Sequence, residues 1–225
     1  MPPQVAQLTR LQRLNLCTHS YSSGSLSCLS AMAGSLTRLH LSSAHGASAG
    51  VAVLTRLQHW ECHINNEAAA QALAGALPHL AGLTYLIVQG RNELNPLPAA
   101  LGELAHLESL ECLGVGIDTL LSSASVLQQA TRLRHLGLHN ASGCEVDWES
   151  PTAAIFFDWL ACRPPLRCLT VDEDDVENMK AFETASFLVR IMQLWRRRPS
   201  LLAHCPGLGD DGDMLLGQLH HRNPF

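Results

Sequence analysis

The stretch LTRLQRLNL at residues 8–16 sets the pattern for most of this 225-residue chain. Aligned in windows of nine residues, it recurs with leucine or an apolar substitute at most of the same positions. The other windows are AGSLTRLHL at 33, LTRLQHWEC at 54, LAGLTYLIV at 80, LAHLESLEC at 104, ATRLRHLGL at 130 and RPPLRCLTV at 163. Successive windows begin 25, 21, 26, 24, 26 and 33 residues apart. A period of about 20–29 residues predicts a stack of similar units.

The spacing within a window indicates what each unit contains. Leu14 and Leu16 are two residues apart, so they point to one side of a short strand. Leu8 and Leu11 are three apart, which suits a turn or a helix end. One unit cannot bury its leucines alone, whereas stacked units can, with their strands aligned in a parallel sheet. A helical bundle is the alternative, but a bundle does not need Gly- and Ser-rich breaks at this period.

The segments between windows are expected to cover the opposite face of the sheet. AAAQALAGALPHL at 68–80 and LPAALGELAHL at 97–107 are rich in Ala and Leu, which favours helix. SYSSGSLSCLS at 20–30 predicts a looser turn, because Gly and Ser are frequent there.

Composition narrows the class of protein. The chain is 47% hydrophobic and 16% charged, so it can bury a core. A net charge of −5 argues against a nucleic-acid partner. The start, MPPQVAQLTR, does not have the pattern of a secretory signal, and no apolar run approaches the ~20 residues of a membrane helix. Eight scattered cysteines without a CxxC pair favour reduced thiols, which predicts a cytoplasmic protein. The lack of a long apolar run predicts that it has no membrane partner.

The segment LPAALGELAHLESLECLG at 97–114 is the most typical part of a pattern that resembles the leucine-rich repeat family, over about residues 5–175. The style is that of plant and algal intracellular members. This resemblance implies an α/β solenoid of about seven repeats, with a parallel sheet on a concave face that binds another macromolecule. The family usually has Asn or Cys three residues after the second strand leucine, where it builds a hydrogen-bonded ladder. Here only Asn65 matches that position, so the loops after the strands are expected to find other partners.

The chain is predicted to have three parts. Residues 1–178 are predicted to form the solenoid, with an irregular insertion at about 140–162; residues 179–200 form an amphipathic capping helix; residues 201–225 form a disordered tail. The aromatic residues of the insertion are predicted to be local core: Trp148, Phe156, Phe157 and Trp159. The first unit lacks a polar cap over Leu8–Leu16, so either a partner covers it or the chain is a fragment of a longer solenoid.

The residues that flank the inward-facing leucines are expected to line the concave face in three columns. The first column is Arg13, Arg38, His59, Tyr85, Ser109, His135 and Cys168. The central column is Asn15, His40, Glu61, Ile87, Glu111, Gly137 and Thr170. The third is Cys17, Ser42, His63, Gln89, Leu113, His139 and Asp172. His40 and Glu61 should be lateral neighbours roughly 5 Å apart, whereas His59 and His63 should be about 13 Å apart along one strand. That histidine pair cannot share a metal ion, so no metal, cofactor or catalytic residue is predicted. Cys62 and Cys112 are expected to face the core.

The predicted function is a non-catalytic protein–protein interaction module, either a monomer or part of a larger assembly. Arg, Tyr and His are residue types that can anchor an interface. The predicted partner-binding residues are Arg13, Arg38, His40, His59, Glu61, His63 and Tyr85. Two alternatives stay open. The chain is a fragment of a larger leucine-rich repeat receptor or ubiquitin-ligase adaptor, or it is a metal-dependent or hydrolytic enzyme that uses the histidines of the concave face.

Overall fold

One parallel sheet organises the molecule. The computed structural model describes residues 7–16, 26–42, 48–64, 66–90, 97–115, 117–139, 150–162, 166–171, 189–190, 193–194, 196–198 and 201–204. In this part of the chain, eight parallel strands pair in chain order. They are β1 (Arg13–Leu16), β2 (Arg38–Leu41), β3 (His59–Ile64), β4 (Tyr85–Gly90), β5 (Ser109–Leu113), β6 (His135–His139), β7 (Cys168–Val171) and β8 (Leu202–His204). This α/β architecture is compatible with the predicted solenoid.

Helices lie in the connections between strands, because parallel neighbours require the chain to return to the same end of the sheet each time. They are α1 (Ser48–Ala52), α2 (Glu67–Ala76), α3 (Ile117–Ser122), α4 (Ala124–Gln129) and α5 (Pro151–Cys162). Asn66 caps α2 by accepting a hydrogen bond from the Ala69 backbone N–H at 2.9 Å. None of the described helices has the length and apolar character needed to cross a membrane.

The strand register is the one that the nine-residue windows predict. Arg38 lies opposite Arg13 on one side and opposite His59 on the other, and His40 lies opposite Glu61. The same columns continue through β7. Along β3, every second side chain is buried, so Trp60, Cys62 and Ile64 enter the core. The opposite face of the sheet carries the polar columns.

A ladder of backbone hydrogen bonds links neighbouring strands just before each one begins. The Gln12 carbonyl accepts the N–H groups of Thr37 and Arg38 at 2.9 and 3.0 Å, and the Gln58 carbonyl accepts those of Thr84 and Tyr85 at the same distances. Equivalent carbonyls serve every junction from β1 to β7. These bonds lie before the strands and use main-chain atoms. The loops after the strands, where the Asn ladder would lie, fall mostly outside the described residues.

Two predictions about the connections have different outcomes. The helix predicted at 68–80 is confirmed as α2 followed by a 3₁₀ turn, Leu77–His79. The helix predicted at 97–107 is wrong, because only the 3₁₀ turn Ala99–Leu101 forms there. Gly102 ends this turn close to α4, where an added Cβ would lie 2.9 Å from the Val126 carbonyl oxygen. Glycine is also intrinsically unfavourable in a helix interior, which opposes continuation of this turn into a helix. Of the predicted looser turn at 20–30, residues 20–25 lie outside the described residues, and Ser27–Met32 is a 3₁₀ turn.

The C-terminal part departs from the predicted boundaries. Phe156, Phe157 and Trp159 are buried on α5, which confirms the predicted local core of the insertion, while Trp148 lies outside the described residues. Residues 202–204 were predicted to belong to a disordered tail, and this is wrong because they form β8 beside β7. The Arg198 guanidinium donates to the carbonyls of Leu160 and Leu166 and so holds this segment against α5 and the start of β7.

Little of the predicted capping helix at 179–200 can be compared with the structure. The described residues 189–190, 193–194 and 196–197 are helical, and Leu194 is buried. Phe182, Phe187, Leu188, Ile191 and Trp195, the other apolar residues that recur there at helical spacing, lie outside the described residues, as do residues 205–225.

Candidate functional site

The open face of the sheet, meaning the face opposite the leucine core, contains a depression over β1–β4. Its volume is about 350 Å³. The side chains and backbone that line it are those of Arg13, Leu14, Asn15, Arg38, Leu39, His40, His59, Trp60, Glu61 and Tyr85. Six of the seven residues predicted to bind a partner therefore share one depression, and the seventh, His63, packs against His40 beside it.

One side of the depression is strongly cationic. Arg13 and Arg38 are both exposed and lie opposite each other on β1 and β2. The ion pairs among the described residues include neither guanidinium. His59 continues this row on β3, and its ring packs on Tyr85 with 5.4 Å between the ring centroids. Burial lowers the pKa of His59, and the positive charges of Arg38 and Arg13 lower this pKa further.

This electrostatic coupling predicts that Arg38→Gln raises the pKa of His59. The rise should be partial, because burial is the larger cause and Arg13 stays in place. The pKa should therefore move toward the ordinary histidine value of about 6.5 without reaching it. An NMR titration of the His59 ring protons measures the change. Arg132→Gln, at an exposed arginine outside the depression, is the matched control and should leave the His59 pKa unchanged; equal behaviour of both variants would contradict the coupling.

A second cluster lies at the centre of the open face. His40 Nδ1 is 2.8 Å from Glu61 Oε2, which confirms that these two residues are lateral neighbours. His63 joins them, because its ring meets that of His40 edge to face at a centroid distance of 5.7 Å. The potential ligand atoms of all three residues lie within 4.8 Å of one another.

All three residues belong to the set predicted to bind a partner, but their convergence was not predicted. The expected columns relate His63 to His59 along β3 and not to His40 diagonally across the strands. Glu61 and His63 are two residues apart and so share a face. Long side chains on neighbouring strands also reach their diagonal partners. The expected columns therefore already contained the information that His63 can reach His40 and Glu61.

A third cluster surrounds Glu111. Tyr85 Oη donates a hydrogen bond to Glu111 Oε1 at 2.6 Å, and the Nε2 atoms of His135 and His139 each lie 3.9 Å from a Glu111 oxygen. Gly137 lies between the two histidines, and an added Cβ there would be 2.9 Å from His139 Nε2. The absence of a side chain at 137 leaves the space in which both rings turn toward the carboxylate. His135, His139 and Glu111 were not among the predicted partner-binding residues, although the glycine in the central column was an available signal.

The protonation of this third cluster suits a hydrogen-bonding role. Burial raises the pKa of Tyr85, and the hydrogen bond to Glu111 raises this pKa further. The phenol therefore remains a donor at neutral pH.

Cys62 and Cys112 face the core as predicted, and burial raises the pKa of both thiols. Neither thiol is available as a nucleophile, since the thiolate is the reactive form.

Comparison with known proteins found no match: no protein-family model matches the chain, and none of the curated proteins matches it.

Proposed function

We propose that this chain is a leucine-rich repeat solenoid that binds a protein partner, without catalysis, through the concave face formed by β1–β4. The spacing of the leucine windows supports this assignment, as do the chain-order parallel sheet and the backbone ladder at each junction. The observation that carries the proposed function is the depression, which brings arginine, histidine and tyrosine side chains together on an otherwise regular face.

The partner should present an acidic group to this depression. Arg13 and Arg38 form a pair of like charges on adjacent strands, and a carboxylate placed between them would neutralise this repulsion. Guanidinium groups bind carboxylates with two parallel hydrogen bonds, which gives direction as well as attraction. His59 and Tyr85 lie next to the arginines and offer flat rings on which an apolar or aromatic side chain can pack. A volume of about 350 Å³ is sufficient for one or two such side chains.

Charge reversal at the arginine pair tests the proposed function. Arg13→Glu/Arg38→Glu should reduce binding of the partner at least tenfold, about 1.4 kcal/mol, because it replaces attraction by repulsion. Affinity capture with the wild-type chain identifies candidate partners, and titration with each purified partner measures Kd. The loss should be accompanied by a salt dependence of the wild-type Kd, since exposed charges are screened by salt.

The control is Arg132→Glu, which reverses one arginine charge on the turn before β6. Arg132 is exposed and contacts His106, away from the depression. This variant should retain the wild-type Kd, and all three proteins should have equal melting temperatures. If the double variant binds every captured partner as tightly as the wild type, the concave face of β1–β4 is not the binding surface.

A further inference from the structure

The central cluster of the open face has the composition of a metal site. We propose that His40, Glu61 and His63 bind one divalent transition-metal ion of the zinc class. The ligands are two imidazole nitrogens and one carboxylate oxygen, supplied by neighbouring strands of the sheet. This inference does not rest on the proposed partner binding, because it concerns a ligand of different chemistry and is measured without a partner.

The positions of the ligand atoms need only a small adjustment. Zinc binds His nitrogen and carboxylate oxygen at about 2.0–2.2 Å, so two ligands of a tetrahedral site lie roughly 3.3 Å apart. His40 Nδ1 and Glu61 Oε2 are already 2.8 Å apart, and all the potential ligand atoms lie within 4.8 Å of one another. A displacement of about 1.5 Å within the cluster, from 4.8 Å to roughly 3.3 Å, closes the remaining gap. The pairing of β2 with β3 holds the backbone of His40 and Glu61, and the pairing of β3 with β4 holds that of His63.

The donor set selects the class of metal. Imidazole suits zinc, copper, cobalt and nickel, whereas calcium and magnesium prefer sites made wholly of oxygen. One carboxylate with two histidines is a set of three protein ligands, and such a set leaves a fourth position open. The cluster faces solvent, since the side chains of His40 and Glu61 are 22% and 37% exposed. Water can therefore fill the fourth position.

One feature of the open face opposes a cation. Arg38 lies two residues before His40 on the same side of β2, and its positive charge repels a metal ion. The guanidinium is exposed, so water and salt screen this repulsion. The Glu61 carboxylate acts at bonding distance and offsets it. We therefore expect the charge of Arg38 to reduce the affinity of the site for a cation without abolishing it.

Cobalt and zinc titrations of the purified chain test the site. The apo protein, prepared with a chelator, should bind one equivalent of Co²⁺ and give the visible absorption of a four- or five-coordinate ion, and Zn²⁺ should displace it. Because the ligands are nitrogen and oxygen, the near-ultraviolet band of thiolate-to-cobalt charge transfer should be absent. His63→Gln and Glu61→Gln should each weaken binding at least tenfold, as expected for loss of one ligand of three.

Matched controls separate this site from the chain's other histidines and cysteines. His79→Gln removes an exposed histidine on the 3₁₀ turn after α2 and should bind cobalt like the wild type. Should either ligand variant lose its melting transition, His40→Gln on β2 provides the same test. Absence of cobalt binding by the wild type would overturn the proposal. So would a thiolate band on the bound ion, or an affinity unchanged in both ligand variants.

Discussion

Replacement of Trp60 by alanine is expected to lower the free energy of unfolding by about 3–5 kcal/mol, the range for deleting a large buried aromatic side chain. Trp60 is 1% exposed and occupies the position on β3 that Leu39 and Leu86 occupy on the neighbouring strands. Its removal leaves a cavity between two stacked units, and the leucines on either side are held by their own strands and cannot fill it. Urea denaturation measures this loss of stability: at an unchanged m-value, the shift of the midpoint gives the change in the free energy of unfolding.

Trp60→Phe provides the matched control. Phenylalanine retains an aromatic ring and removes the indole N–H, which is buried and has no hydrogen-bond acceptor among the described residues. A buried donor without a partner costs about 1–3 kcal/mol, so its deletion offsets much of the lost packing. We expect this variant to cost less than half as much as alanine. An equal cost for both variants would show that the indole N–H has an acceptor or that the ring does not lie in the core.

The sheet could be predicted from the sequence because its two requirements are both periodic. Strands bury every second side chain, and stacked units repeat the same apolar positions, so Leu39 and Leu41 on β2 mark the register as clearly as Leu14 and Leu16 do on β1. Strand β8 carries no such window. Its position depends on Leu201 and on the contacts of Arg198 with distant carbonyls, which no local pattern reveals.

The candidate site was predictable to the extent that it follows the strand columns. Lateral neighbours such as His40 and Glu61 follow directly from the register. Diagonal contacts depend on side-chain length and rotamer, so the approach of His63 to His40 was missed. The histidines around Gly137 were missed for a related reason, because their convergence depends on space left by an absent side chain.

The backbone ladder was also beyond prediction from side chains. The expected Asn side chain would lie after the strand, and of those seven positions only Val115 is described. The observed ladder lies before the strands and uses carbonyls such as those of Gln12 and Gln58. A main-chain acceptor can be supplied by any residue type, which leaves no trace in the sequence.

Native-state thiol labelling should separate the cysteines by at least about 10³-fold in rate. Cys162 is exposed and should react without any opening of the fold, whereas Cys62 and Cys112 are at most 1% exposed on the core face of β3 and β5. These two can react only after the sheet opens, and opening a core strand costs free energy close to that of global unfolding, at least about 5 kcal/mol for a typical domain. Iodoacetamide labelling followed by peptide mass spectrometry assigns each rate, with Cys168, half-exposed on the open face, as the intermediate case.

The pH dependence of labelling distinguishes opening from reaction in the folded state. In an opened chain Cys112 has an ordinary thiol pKa of about 8.5, so its labelling rate should rise with pH and level off near that value. Burial raises the pKa of the folded thiol to about 12, so a reaction in the folded state would continue to accelerate toward that pH. Rapid labelling of Cys62 and Cys112 at neutral pH would mean that these residues face solvent. The strands would then be shifted by one residue, and Arg13, Arg38 and His59 would point into the core instead of lining the proposed binding surface.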